Sequence, residues 1–172
     1  MQKIIKRAKP RDYGFILALN EKNAKFLLPM DAAQPGFFAD TAEVFNVLYA
    51  DGVPAAFLIA LRGGSADYDI RVYRWFSEHY ARFLYIDRIV VDENHRGMGL
   101  GRRLYQDAFA FAKKEGFPLV AAAIETIPYN AQSLIFHKRM GFYEVGEQAV
   151  RSGTVKVSLQ LAKVPGTMAE DA

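Results

Sequence analysis

The junction of a strand, a glycine-rich turn and a helix in the second half of the chain constrains the fold more than any other feature. Residues 83–91 read FLYIDRIVV, an apolar run that predicts a buried strand. Residues 95–103 include HRGMGLGRR, in which three glycines alternate with larger residues. Leu104, Ala108 and Ala112 then recur at helical spacing. Because glycine adopts backbone angles that other residues avoid, this segment predicts a strand that turns sharply into a helix.

The rest of the sequence predicts strands and helices on both sides of this junction. Residues 45–50 and 53–63 are apolar and flank Asp51-Gly52, a dipeptide that favours a tight hairpin turn. Pro10 suits the first turn of a helix, because the missing N–H of proline is not needed there. The predicted element order is β-α-α-β-β-α-β-α-β-α-β-β. This order indicates the α/β class, with a mixed α+β arrangement in which helices cover both faces of one sheet.

Length and composition limit the classes of protein. The chain of 172 residues suits one domain, and we expect a domain over residues 1–163 and a disordered tail over 164–172. The absence of cysteine excludes disulfides and a cysteine nucleophile, and the three scattered histidines predict no metal site. With no leader, no apolar run near twenty residues and no basic stripe, we expect a cytoplasmic protein with no membrane or nucleic-acid partner.

The glycine turn has the chemistry of an anion site. A helix N-terminus presents free N–H groups and the positive end of the helix dipole. Arg96, Arg102 and Arg103 add cationic donors, so a phosphate or pyrophosphate is the expected ligand. A Walker A loop would need Gly-Lys-Ser/Thr, and a dinucleotide-binding loop would need G-x-G-x-x-G. The chain has neither at this point, because its glycines follow the spacing G-x-G-x-G.

Two segments resemble the GNAT superfamily of N-acetyltransferases. Arg96, Gly99 and Gly101 match the pattern R-x-x-G-x-G, and residues 130–142, NAQSLIFHKRMGF, resemble a later segment of that family. The resemblance spans about residues 1–162 and implies a central, mostly antiparallel mixed sheet of about six or seven strands. It also implies acetyl-CoA as cosubstrate and a primary amine as acceptor. The residues that it implies for cofactor binding are Ile89, Val90, Val91, Arg96, Gly97, Met98, Gly99, Leu100, Gly101, Arg102, Asn130 and Ser133.

His137 is the residue that we expect to protonate the departing thiolate. Many members of the family carry a tyrosine where this chain has His137, and an ordinary imidazole titrates near neutral pH. The alternative is that His137 only packs within its helix, and Tyr129 and Tyr143 are then the fallback acids. Asn130 and Ser133 have a similar alternative, because both could simply cap the first turn of that helix.

Two carboxylates on apolar strands are candidates for the general base. Asp87 and Glu125 interrupt otherwise apolar runs, and a buried carboxylate is costly without a partner. Some GNAT enzymes carry an acid at the position comparable to Asp87. Strand alternation places Asp87 on the face opposite Arg88, and the alternative role for Asp87 is an ion pair with an arginine. For Glu125 the alternative is a solvated carboxylate at the end of a strand.

The acceptor is expected to be a small molecule or an amino acid rather than a protein lysine. An aromatic segment precedes the central strand, and Tyr73 and Trp75 are its candidate substrate-binding residues. Aromatic residues at such spacing also commonly form the core. The alternative functions are an acyl-CoA sensor of GNAT fold without turnover and, less favoured by the glycine spacing, a nucleotide-binding regulatory domain. GNAT proteins frequently dimerise, so a homodimer is an alternative to a monomer.

Overall fold

The structure, a computed structural model, describes residues 1–65, 67–127 and 129–167. These residues form seven strands and five α-helices in the order that the sequence predicts. The strands are β1 Lys3–Arg7, β2 Val44–Ala50, β3 Val53–Arg62, β4 Leu84–Val91, β5 Leu119–Ile127, β6 Tyr143–Val150 and β7 Val155–Lys163. The helices are α1 Tyr13–Lys22, α2 Gln34–Thr41, α3 Arg71–His79, α4 Leu100–Glu115 and α5 Ala131–Arg139.

The strands form a mostly antiparallel mixed sheet in the order β1-β2-β3-β4-β5-β7-β6. The pairs β1–β2, β2–β3, β5–β7 and β6–β7 are antiparallel, whereas β4 and β5 run parallel. The chain divides into two compact units. The first holds Met1–Leu61 and Asp87–Ala108, and the second holds Arg62–Ile86 and the described residues from Phe109 onward. Strand β4 therefore contributes its first residues to the second unit and its last residues to the first.

The first unit is built around the hairpin of β2 and β3. Asp51 and Gly52 have φ angles of 49° and 84°, which is the left-handed geometry expected for their dipeptide. The central residues of β3 are buried on both faces of the strand, which explains their unbroken apolar sequence. Pro10 opens a short 3-10 turn, Pro10–Asp12, which leads directly into helix α1.

The second unit has an aromatic core beneath α3. Tyr73 packs edge-on against Tyr68 and Tyr85, and Phe76 contacts Phe83 and Tyr85. The predicted disordered tail starts too early, because Val164 is buried and its N–H donates to the Pro118 carbonyl at 2.9 Å. The last five residues of that tail, 168–172, lie outside the described residues.

Candidate active site

The glycine turn lies in the first unit, between β4 and α4. Gly97 and Gly99 have φ angles of 76° and 75°, values that favour glycine over any residue with a side chain. The Arg103 N–H donates to the Gly99 carbonyl at 3.1 Å, which closes the first turn of α4. The N–H groups that precede Arg103 in this turn have no carbonyl partner within the helix. The turn thus directs several backbone donors to one place.

The surroundings of the turn suit an anion. Arg96, Gly97, Met98 and Gly99 are all exposed, as is Arg102, whereas Leu100 is buried and anchors the helix. Gly101 lies in the first turn of α4, and that turn carries no acidic residue. The first turn of the helix therefore adds no negative charge that would oppose an anionic ligand at its N-terminus.

Two residues at the turn were not predicted from the sequence. Lys3 of β1 donates from Nζ to the Met98 carbonyl at 2.6 Å, which adds a cation and fixes the turn. Asn23, just after α1, accepts at 3.2 Å from Nη2 of Arg96 and so orients that guanidinium. Both residues lie more than seventy positions away in sequence, and no local pattern marks either one. We call the backbone from Arg96 to Gly101, together with Lys3, the anion cradle.

The main chain at the centre of β4 is accessible. Asp87 is half-buried as a residue, yet its side chain is only 1% exposed, so its exposed surface belongs to the main chain. Leu84–Ile86 of β4 pair in parallel with β5. Strand β4 then continues to Val91, and its residues from Asp87 onward belong to the first unit. Ile89 and Val91 are half-buried and Val90 is buried. The role of these residues in holding a cosubstrate stays a prediction.

Asp87 and Arg88 form a buried ion pair, which is the alternative role that the sequence left open for Asp87. Arg88 Nε donates to Asp87 Oδ2 at 2.6 Å, and the Arg88 side chain is 3% exposed. Arg88 also donates to Asn20 Oδ1 at 2.8 Å and to the Leu28 carbonyl at 3.2 Å. Burial raises the pKa of the Asp87 carboxyl, and the Arg88 guanidinium opposes this shift.

Glu125 of β5, in the second unit, is the less constrained of the two candidate bases. Its side chain is 9% exposed, and Oε2 is buried without a hydrogen-bond partner among the described residues. Oε1 lies 3.7 Å from Nη2 of Arg151, longer than a direct hydrogen bond. Burial raises the pKa of Glu125, and Arg151 partly opposes the rise. A buried carboxylate oxygen with a free lone pair and a raised pKa is suited to accept a proton.

His137 does not have the properties of the predicted acid. It is buried in α5 between the rings of Phe136 and Phe142, and burial lowers its pKa to about 4. Its Nδ1 lies 2.7 Å from the Ser133 carbonyl, so this nitrogen carries the proton of the neutral ring. At neutral pH the residue is not an imidazolium, and the structure places it in the core.

The other predicted residues of the second unit divide between capping and packing. Asn130 Oδ1 accepts from the Ser133 N–H at 3.3 Å, which is the expected helix cap. Tyr73 is 2% exposed, and its hydroxyl donates to the Arg62 carbonyl, so it belongs to the core rather than to a substrate wall. Trp75 is half-buried and stacks on His79 with ring centroids 4.0 Å apart. Both fallback tyrosines, Tyr129 and Tyr143, are exposed.

No metal site and no membrane span is found in the part of the chain that the structure describes. These residues contain no group of three potential metal ligands. None of their helices combines the length and the hydropathy needed to cross a membrane.

The fold and the anion cradle present backbone donors and cations at a helix N-terminus, an arrangement that suits an anionic ligand. A model of the Acetyltransferase (GNAT) family matches residues 16–142, which is most of the chain. The protein therefore belongs to the GNAT acetyltransferase family, as the glycine pattern predicted. A comparison with curated protein sequences gives no match.

Several solved structures are similar to this one. The ribosomal-protein-S18-alanine N-acetyltransferase from Escherichia coli has a TM-score of 0.69 and 16% identity, covering 99% of this chain and 97% of that one. Ard1 from Thermoplasma volcanium has a TM-score of 0.77 and 15% identity, covering 95% and 99%. Arabidopsis thaliana Naa50 in complex with the bisubstrate analogue CoA-Ac-MVNAL has a TM-score of 0.71 and 12% identity, covering 95% and 99%. At these identities the likeness shows the fold.

Proposed function

We propose that the protein transfers the acetyl group of acetyl-CoA to a primary amine of a small molecule or an amino acid. The observation that carries this proposal is the anion cradle. Gly97 and Gly99 hold left-handed angles, residues 96–99 are exposed, and Arg96 and Lys3 bring positive charge to the turn, so it fits the pyrophosphate of CoA. Family membership supplies the acetyl-transfer chemistry.

The residues of this chain have distinct proposed tasks. Arg96 and the cradle bind the pyrophosphate, and Asn23 keeps the Arg96 guanidinium in place. The accessible main chain of β4 near Asp87 supplies polar groups for the rest of the cosubstrate. Asp87 itself serves as a positioning residue, because its carboxylate is buried and occupied by Arg88.

Glu125 is the proposed general base. The reaction forms a bond between the amine nitrogen and the acetyl carbonyl carbon and breaks the carbon–sulfur bond. The ammonium proton passes to Glu125, and a proton donor returns one to the CoA thiolate. Because His137 is neutral, the exposed Tyr129 and Tyr143 are the remaining donors from the sequence prediction.

An acyl-CoA sensor without turnover is the second candidate function. The observation that favours it is the neutral, buried His137 at the position where the predicted acid should stand. A sensor would bind acetyl-CoA through the same anion cradle and would release no CoA when amines are added.

Calorimetric titration of the purified protein with acetyl-CoA, beside ATP and NAD, tests the cosubstrate. We expect selective binding of acetyl-CoA. Arg96→Glu should weaken this binding, because it sets a negative charge against the pyrophosphate. Arg139→Glu, which reverses an exposed arginine on α5, is the matched control and should bind normally. If Arg96→Glu binds acetyl-CoA with unchanged affinity, the cradle is not the pyrophosphate site.

Release of free CoA in the presence of primary amines then separates the two candidates. An enzyme releases CoA in an amine-dependent way, and Glu125→Gln should abolish most of that release. A protein that binds acetyl-CoA selectively but releases none with any amine is a sensor.

A further inference from the structure

The face of the sheet around Glu125 carries a second buried acceptor atom. In the second unit, Val157 of β7 pairs with Glu125 on one side and with Gln148 of β6 on the other. Residues paired across antiparallel strands project from the same face, so Glu125 and Gln148 flank Val157 on one face. Glu125 Oε2 and Gln148 Oε1 are both buried, and neither has a hydrogen-bond partner among the described residues. Because an unpaired buried acceptor costs free energy, two of them on one face point to a donor from outside the chain.

The two acceptors are spaced for one shared donor group. Strand β7 lies between β5 and β6, so the main chains of Glu125 and Gln148 are separated by two strand spacings, about 10 Å. Both side chains are long, and each can extend over Val157 towards the other. The space that remains between them suits a single nitrogen atom that donates one hydrogen bond to each side.

The number of hydrogens on the donor decides which ligands satisfy both acceptors. The donor needs at least two, one for the carboxylate oxygen of Glu125 and one for the amide oxygen of Gln148. A primary ammonium carries three N–H groups, whereas a tertiary ammonium or an alcohol carries one. After a primary ammonium passes one proton to Glu125, the neutral amine still has an N–H for Gln148, and its lone pair is free to attack a carbonyl carbon.

The surroundings of the pair leave one end of this face open. Gly146 pairs with Leu159, so it lies on the same face as the Gln148–Val157 pair. A Cβ added at Gly146 would lie 3.4 Å from Cζ2 of Trp75, so the indole covers the face at that end. At the other end the turn residues 151–154 are exposed, and Gln148 itself is half-buried. An amine therefore reaches the two acceptors from the side of the turn.

We propose that Gln148 binds the nitrogen of the acceptor amine together with Glu125 and so orients its lone pair. This inference rests on the proposed function and adds a substrate-binding residue to it. Glu125 takes the proton, and Gln148 holds the nitrogen in place while the proton leaves. The site thereby selects acceptors by their N–H groups.

The first test needs no ligand. Gln148→Leu and Gln148→Met replace the unpaired acceptor with an apolar side chain, so both variants should unfold at higher urea than wild type when no amine is present. A lower urea midpoint in both variants would show that the oxygen has a partner within the folded chain and would overturn the inference.

Amine binding is then measured without turnover. Butylamine, 2-phenylethylamine and L-leucine are titrated calorimetrically into the protein saturated with CoA. We expect Gln148→Leu to bind the tightest of these amines roughly 10- to 100-fold more weakly than wild type, because one hydrogen bond from an ammonium group is lost. Wild-type affinity in Gln148→Leu, or no binding of any of the three amines to the wild-type protein, would overturn the inference.

Methylation of the nitrogen shows what Gln148 reads. The N,N-dimethyl derivative of the same amine has one N–H as an ammonium, so wild type should bind it roughly 10- to 100-fold more weakly than the primary amine. Gln148→Leu should lose most of this preference, and Gln148→Glu, which keeps an acceptor oxygen, should retain it. A preference of the same size in wild type and Gln148→Leu would mean that the methyl groups are excluded by size and would overturn the inference.

Gln160 provides the matched control. Its Oε1 is also buried without a partner among the described residues. It lies three positions from Val157 on β7 and pairs with Ala122 and Glu144, which places it on the opposite face. Gln160→Met should therefore bind the amine as wild type does. An equal loss of amine affinity in Gln160→Met and Gln148→Met would contradict a specific role for Gln148.

The CoA-release assay keeps this inference apart from the proposed function. Amine-dependent CoA release with the same KM for the amine in wild type and Gln148→Leu contradicts the role of Gln148 and leaves the proposed acetyltransferase intact. Amine binding that depends on Gln148, without CoA release from acetyl-CoA, supports the amine site and contradicts the proposed activity.

Discussion

Lowering the pH from 7 to 4 should destabilise the protein through His137, and His137→Phe should remove this sensitivity. Burial lowers the pKa of His137 from 6.5 to about 4 in the folded protein. Between these two values the unfolded chain binds a proton at this residue and the folded chain does not. Stability therefore falls as the pH drops from 6.5 towards 4, and the loss is complete below the folded pKa. At 1.36 kcal/mol per pH unit the interval corresponds to about 3 kcal/mol of unfolding free energy.

The assay is urea unfolding at pH 7, 6, 5 and 4, followed by the fluorescence of Trp75, the single tryptophan. Other groups also titrate in this range, so the informative quantity is the difference between wild type and variant at each pH. His137→Phe, and His137→Gln as a second variant, should each gain about 3 kcal/mol relative to wild type between pH 7 and pH 4. If the unfolding free energies of wild type and variant change in parallel with pH, His137 is not buried as a neutral ring. A drop in acetyl transfer at neutral pH in His137→Phe, with binding intact, would restore its predicted role as acid.

Three further variants test the roles of individual residues. Glu125→Gln should lower acetyl transfer at least ~100-fold, measured by CoA release, yet unfold at higher urea at pH 7. Its gain in stability should grow as the pH rises above 4.5, because burial makes ionisation of this carboxyl costly. Arg88→Met should cost about 3–5 kcal/mol in urea unfolding, because it leaves Asp87 buried without its cation, and adding Asp87→Asn should recover part of the loss. Gly99→Ala should cost about 1 kcal/mol and weaken acetyl-CoA binding in calorimetry, because its φ is 75°, whereas Gly14→Ala, which has open space in α1, should not. Wild-type stability in Arg88→Met, or wild-type acetyl-CoA affinity in Gly99→Ala, would contradict these assignments.

Much of the fold could be predicted from the sequence because the relevant signals are local. The Asp51-Gly52 hairpin and the strand before Gly97 depend on backbone preferences of a few adjacent residues. Asn130 was correctly considered as a helix cap for the same reason. Local signals of this kind depend only on neighbouring residues and not on the rest of the fold. The order of the helices and strands could therefore be predicted from them.

The candidate site was harder to predict because its properties depend on burial and on distant partners. The acid role of His137 assumed an ordinary pKa, and burial in the folded chain, where the ring packs against Phe136 and Phe142, lowers that pKa. Tyr73 and Trp75 belong to the same aromatic segment of the sequence, yet Tyr73 lies in the core and Trp75 is half-buried. A sequence pattern contains no measure of solvent access, so these outcomes could not be read from it.

The sequence by itself determined the family, the element order and the glycine turn from Arg96 to Gly101, since each depends on glycine angles, capping residues and apolar spacing along the chain. The tertiary structure adds Lys3 to that turn. Only the tertiary structure decided which charged groups have partners. It paired Asp87 with Arg88 and Asn20, and it left Oε2 of Glu125 without a hydrogen bond beside Arg151. The physical reason is that desolvation depends on everything that packs around a group, and that partners such as Asn20 and Arg88, or Glu125 and Arg151, are far apart in sequence and meet only in the folded chain.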